Sequence, residues 1–168
     1  MEALSFQIRR MQEEDIQRVM EIERASSGLI WPERSYRFEL RENNAERAWV
    51  AFEPDGLVIG FVMLWLILDE LHVPNFAVSP EFRRQRVGLA LLVNGLAQGW
   101  YEGARCSFLE VRSGNRAAIG LYTKLGFEQV SVRKGYYQDN REDAVLMNLD
   151  EKGYQNFMDK WGIQWKTN

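Results

Sequence analysis

The apolar positions change period several times along the chain. "FQIRRM" reads as a short strand, and "QEEDIQRVMEIERA" then turns helical, with Ile16, Val19 and Met20 together and Glu23 expected to face out. A second helical pattern runs through "WPERSYRFELREN", with Pro32 expected at the first helical position and Asn43-Asn44 at its end. "RAWVAFE" and "VIGFVMLWLIL" flank the turn signal "PDG", which predicts an antiparallel hairpin. The next run, "LHVPNFAVS", contains Pro74. Proline has no N–H to give a ladder, so this strand must bulge, splay or lie at an edge.

Residues 86–102 carry a Leu/Ala-rich face and read as a long helix despite two internal glycines. "CSFLEVR" is a strand, "NRAAIGLYTKL" a helix stopped by Gly126, and "FEQVSVRKGYY" and "DAVLMNLD" are strands. The order βααβββαβαββ predicts an α/β chain of the α+β kind with a mixed sheet, not the clean βαβ repeat of a Rossmann fold. One domain is expected over residues 1–150. A C-terminal extension, 151–168, has helical spacing in "EKGYQNFMDKWGIQW" and carries Trp161.

Composition narrows the partners. A net charge of −3 argues against a broad nucleic-acid footprint and suits a basic partner. The single cysteine, Cys106, forbids an internal disulfide and points to a reducing, cytoplasmic setting. The N-terminus lacks the pattern of a secretory signal, and the longest apolar run is interrupted by Gly60 and too short to span a bilayer. Neither nucleic acid nor membrane is expected as a partner. His72 is the only histidine and has no second ligand candidate nearby in sequence, so no metal is expected.

Three features carry candidate chemistry. "EFRRQRVG" between a strand and a helix brings arginines to a helix N-terminus, whose unpaired N–H groups attract phosphate oxygens. It matches neither the P-loop nor the dinucleotide fingerprint, and an arginine-rich solvated loop is its plainer reading. In "SFLEVR" the alternation sets Ser107, Leu109 and Val111 on one face and Phe108, Glu110 and Arg112 on the other. Were helices to cover both faces, Glu110 would be a carboxylate in apolar surroundings, tuned as a base. Its plainer role is an ion pair with Arg112 or another buried cation. Tyr122 shares an inner stripe with Ala118, Leu121 and Leu125, where a tyrosine is ordinarily a core ring.

The series "FAVSPEFRRQRVGLALL … FLEVRSGNRAAIGLYTKLGFE" resembles the GNAT acetyltransferases. Followed by "YYQDNREDAVLMNL", it is similar to their ribosomal-protein-alanine N-acetyltransferases. The resemblance runs from "IRRMQEED" to Leu149. It implies a GNAT fold, mostly antiparallel, with a splayed parallel pair that binds acetyl-CoA as co-substrate. By the family's motifs, Phe76, Ala77 and Val78 lie along the pantetheine and acetyl group. Arg84, Gln85, Arg86, Val87, Gly88 and Leu89 cradle the pyrophosphate, and Asn115 holds the cofactor at the next helix. The motifs make Glu110 the proton acceptor and Tyr122 the proton donor, with Pro74 in the family's bulged strand. By position and resemblance, Trp31, Tyr136 and Tyr137 line the peptide entrance.

The resemblance implies direct acetyl transfer to a protein N-terminus, the N-terminal alanine of a basic ribosomal protein. A lysine side chain or a small amine is the enzymatic alternative, and a non-catalytic acyl-CoA-binding module the other. One departure stands out. The family's turn reads R/Q-x-x-G-x-G/A, and the spacing to Glu110 puts Arg86 where the first glycine belongs. If that position needs a positive φ, an arginine there is strained. If it is already helical, Arg86 costs little and adds a cation.

Overall fold

The computed structural model describes residues 4–26 and 30–162. The chain falls into two compact units, Met1–Leu64 with Asn75–Gly95 and Trp65–Pro74 with Leu96–Asn168. β1 (Gln7–Arg10) leads through a 3-10 turn (Glu13–Asp15) into α1 (Ile16–Arg24), followed by α2 (Glu33–Glu42). Then come β2 (Trp49–Phe52), β3 (Val58–Ile67), β4 (Glu70–Val78) and α3 (Val87–Tyr101). β5 (Cys106–Arg112), α4 (Arg116–Lys124), β6 (Glu128–Arg133), β7 (Ala144–Leu149) and α5 (Glu151–Phe157) complete the order that the periodicity predicts. The seven strands lie in the order β1-β2-β3-β4-β5-β7-β6. β1–β2, β2–β3, β5–β7 and β7–β6 are antiparallel, while β4–β5 is parallel.

In the first unit, α1 and α2 cover β2 and β3 through a core that includes Ile16, Val19, Tyr36, Val50 and Phe61. α1 begins where Asp15 accepts the Gln12 N–H at 2.8 Å and grips the Arg9 guanidinium through both carboxylate oxygens. Pro32 is not the first helical residue but the extended residue ahead of it, at φ −67° and ψ 151°, and Asn43 ends α2. Glu23 does not face out. It is 1% exposed, on the same stripe as Ile16, Val19 and Met20.

In the second unit, β5 alternates as expected, with Ser107, Leu109 and Val111 buried. α4 starts at Asn115, whose Oδ1 accepts the Ala118 N–H, and is stopped by Gly126 at φ 101°. The Tyr154 hydroxyl of α5 donates to the Leu96 carbonyl at 2.7 Å. α5 continues as a π turn, Met158–Gly162, that holds Trp161; the rest of the 151–168 segment lies outside the described residues. The glycines within α3 are contact points. A Cβ on Gly99 would meet Leu71 Cδ2 at 2.6 Å, and one on Gly95 would meet Leu64 Cδ1 at 2.5 Å.

Candidate active site

The parallel ladder is short. It pairs Glu70 with Cys106, Leu71 with Ser107 and His72 with Phe108, and stops there, although β4 continues to Val78 and β5 to Arg112. Pro74 therefore falls just beyond the last rung, as its missing N–H requires. Of the residues that follow, Ala77 is buried, and Phe76 and Val78 are half-buried. His72 is a strand residue, stacked on Phe108 with its Nε2 2.9 Å from Glu70 Oε2. No group of three or more His, Cys, Asp or Glu suited to a metal ion occurs among the described residues.

Beyond Val78 the chain makes a 3-10 turn, Pro80–Phe82, and enters the arginine loop. Arg83 is structural: it donates from Nε to the Val78 carbonyl and from Nη2 to Ser26 Oγ. Arg84 and Arg86 are both left-handed, at φ 60° and 66°, and exposed. Neither has an ion pair or side-chain hydrogen bond among the described residues. The Arg86 carbonyl accepts the Ala90 N–H, so Arg86 immediately precedes the first turn of α3. Left-handed residues alternating with Gln85 turn successive N–H groups into a concavity suited to an anion. The first-turn N–H groups of Val87, Gly88 and Leu89, which a helix leaves without intrahelical partners, extend it.

The conformation decides between the two readings of Arg86: the position needs a positive φ. A non-glycine residue there costs about 1–2 kcal/mol. A glycine would relieve that strain but lose roughly 0.5–1 kcal/mol through its freer unfolded chain. Arg86→Gly is therefore expected to leave Tm unchanged or slightly raised, while pyrophosphate-containing ligands bind roughly threefold to tenfold more weakly for want of one phosphate cation. Thermal melts and calorimetry check both parts, and a clear drop in Tm would contradict the first.

Glu110 is exposed rather than enclosed in apolar surroundings, although Phe108 and Arg112 on the same face are half-buried. Its ion-pair partner is Arg133 of β6, at 2.8 Å, not Arg112. Arg112 instead organises the loop from β6 to β7. It bonds Asp139 at 2.9 and 3.1 Å, reaches Asn140 and Glu142, and lies 3.9 Å from the centre of the Tyr137 ring. Glu142 in turn accepts the Gly114 N–H at 2.7 Å. Tyr136 packs edge-on against Tyr137, and the Arg133 guanidinium lies 5.5 Å from the centre of the Tyr136 ring.

Tyr122 is 6% exposed and packs against Phe127. Burial pushes its phenol well above the ordinary range, with Tyr137 adding to the effect. Tyr137 is itself raised by burial, pulled back by Arg112 and pushed up by Glu110. Tyr137 thus lies within electrostatic reach of both Glu110 and Tyr122. Asn115 spends its side-chain oxygen on capping α4.

Sequence reasoning missed one cluster. Buried Glu23 accepts the Tyr36 hydroxyl at 2.9 Å and the Trp31 N–H at 3.1 Å on Oε2, and the Asn75 amide at 2.7 Å on Oε1. Asn75 also donates to the Tyr36 oxygen at 3.0 Å, closing a triangle. Burial raises the Glu23 carboxyl, while the Asn75, Tyr36 and Trp31 donors oppose the rise. The Trp31 ring packs on Tyr36 at 5.5 Å. The signal was present in the spacing: position 23 falls at i+7 from Ile16, on the apolar stripe.

An open depression of about 650 Å³ beside Trp100, Arg105 and Lys152 holds none of the sequence-predicted site residues. No helix among the described residues is long and apolar enough to cross a membrane.

A family model described as "Acetyltransferase (GNAT) family" matches residues 16–127. A Bacillus subtilis (strain 168) protein named putative ribosomal protein bS18-alanine N-acetyltransferase is 38% identical over 140 residues, 83% of this chain and 92% of that one. The Escherichia coli (strain K12) ribosomal protein bS18-alanine N-acetyltransferase is 34% identical over 139 residues, 80% of this chain and 90% of that one. The crystal structure of the E. coli ribosomal-protein-S18-alanine N-acetyltransferase superimposes with a TM-score of 0.78 at 30% identity, over 86% of this chain and 92% of the other. The NatC complex bound to Gag peptide and CoA, at 18% identity and a TM-score of 0.79, shares the fold over 88% of this chain and 99% of that one. With the mixed seven-stranded sheet and its parallel β4–β5 pair, these matches make the chain an N-acetyltransferase of the GNAT family.

Proposed function

We propose that the protein transfers the acetyl group of acetyl-CoA to the N-terminal α-amine of a ribosomal protein that begins with alanine. The observation that carries this reading is the match, across four-fifths of the chain, to two relatives named for that acceptor. The net charge of −3 suits a basic protein substrate in the cytoplasm.

The arginine loop supports the choice of co-substrate. The left-handed, exposed Arg84 and Arg86, with the N-terminus of α3, would hold a pyrophosphate; Phe76, Ala77 and Val78 would run beside the pantetheine. Asn115 would act by fixing the start of α4 rather than through its capped side-chain oxygen. Trp31, Tyr136 and Tyr137 would border the peptide.

Glu110 takes the proton of the attacking ammonium, directly or through one water. Its ion pair with Arg133 loosens as the substrate cation arrives. The neutral amine nitrogen then bonds to the thioester carbonyl carbon, the carbon–sulfur bond breaks and Tyr122 gives its phenolic proton to the departing sulfur; the acetylated nitrogen sheds its second proton to water, from which the Tyr122 phenolate is reprotonated. Burial favours that last role, since it keeps Tyr122 protonated. A single exposed glutamate suffices for an α-amine, of which roughly 10–15% is neutral at pH 7, against about 0.04% of lysine side chains. Lysine chemistry would ask the site for about 3 kcal/mol more.

Thiol release from acetyl-CoA tests the reading, with alanine-first basic peptides that differ only in a free or blocked N-terminus. Turnover is expected to require the free α-amine. Equal turnover of the blocked peptide through an internal lysine would sink the Nα assignment.

A further inference from the structure

Glu23 sits where the helical stripe calls for an aliphatic residue. An unpaired carboxylate there would be very costly, and even a well-paired buried charge stabilises no better, as a rule, than an apolar side chain of similar volume. The benefit of this carboxylate lies in direction, because it ties together segments far apart in the chain. Oε2 holds the Trp31 backbone ahead of α2 and the Tyr36 hydroxyl within it; Oε1 holds Asn75 of β4.

The β4 contact comes at a telling point. The ladder to β5 ends at His72, Pro74 has no N–H, and Asn75 is the next residue. From Asn75 onward β4 carries Phe76, Ala77 and Val78, and its side-chain bonds to Glu23 and Tyr36 fix the strand as that segment begins. The other oxygen fixes the backbone of Trp31. One side chain thus reaches both the segment assigned to the acyl donor and a residue assigned to the acceptor. Both its oxygens are engaged and it is closed to solvent, so Glu23 is not itself a proton acceptor for the substrate.

We infer that Glu23 is a positioning residue for acetyl transfer, acting through Asn75 on the cofactor strand and through the Trp31 backbone on the peptide entrance. The inference rests on the function proposed above. Asn75→Ala, Glu23→Gln and Glu23→Ala test it, assayed well below each variant's Tm. Acetyl-CoA affinity is measured by calorimetry, and KM for acetyl-CoA and for peptide are measured separately from kcat.

Asn75→Ala is expected to raise Kd and KM for acetyl-CoA by about threefold to tenfold, with peptide KM within about twofold, as befits the loss of the two side-chain hydrogen bonds that hold the strand, only part of whose energy bears on the cofactor. Glu23→Ala is expected to raise both KM values and to lower kcat less than either KM rises. Glu23→Gln keeps an acceptor for Tyr36 and Trp31 and turns a donor toward Asn75, so its effect should fall chiefly on acetyl-CoA. Should Glu23→Ala fail to fold, the other two variants still decide. Lower Tm with Kd and both KM values within twofold would make the cluster a matter of stability alone and overturn the inference. Failure of the wild-type protein to bind acetyl-CoA would overturn the functional reading, and this inference with it.

Discussion

Glu110→Gln should lower kcat by about 10²-fold, the usual contribution of a positioned base, and leave acetyl-CoA affinity within about twofold. The amide keeps the shape of the side chain but cannot take the ammonium proton. The fold should tolerate the change: Glu110 is exposed, and its ion-pair partner Arg133 is itself half-exposed. Pairs of that kind contribute about 0–1 kcal/mol, so Tm should move by only a few degrees. Steady-state kinetics with a saturating alanine-first peptide, beside a thermal melt, make the test. A variant that keeps more than half of wild-type kcat would remove Glu110 from the mechanism.

Tyr122→Phe comes second, with an expected loss of about 10²-fold in kcat and KM for acetyl-CoA nearly unchanged. Phenylalanine preserves the ring against Phe127 in a position only 6% exposed, so lost activity would report the hydroxyl rather than the packing. The substitution has a pH signature as well. Burial raises the folded-state pKa of Tyr122 above its unfolded value near 10. Its stabilising contribution is complete below pH 10 and fades as pH rises toward the folded value, because the unfolded chain releases the proton first. The variant's stability should therefore fall less steeply above pH 10 than that of the wild type. In the working range the phenol stays protonated, so an alkaline loss of wild-type kcat below pH 10 belongs to another group. Retention of wild-type kcat in Tyr122→Phe would exclude the hydroxyl as the proton donor.

Element order was legible because each segment keeps one period and ends on a recognisable stop: Asn43 after α2, Gly126 after α4, the "PDG" turn between β2 and β3. The residues that went astray did so for physical reasons. Polarity points Glu23 outward, although its spacing puts it inside; a glutamate tolerates burial there because three donors from outside its helix converge on it. Those donors are invisible to a local pattern. Alternation puts Glu110 on the face of β5 opposite the buried Ser107, Leu109 and Val111, but says nothing about how far that face is covered, nor that Arg133 rather than Arg112 reaches it. Arg86 could be strained or helical on sequence grounds; a φ of 66° decides it. Pro74 fared better, because a missing N–H has the same consequence in any sheet.

The two outermost strands of the sheet are β1 and β6. β6 is exposed along its whole length, with Val130 and Val132 open to water, a composition that invites further strands to add. Glu128 and Arg133 stand at its two ends, and Arg9 and Arg10 occupy β1. A strand added at either border would have to accommodate these charges, so the sheet stops at seven strands in place of templating a fibril or recruiting neighbours in a crowded solution.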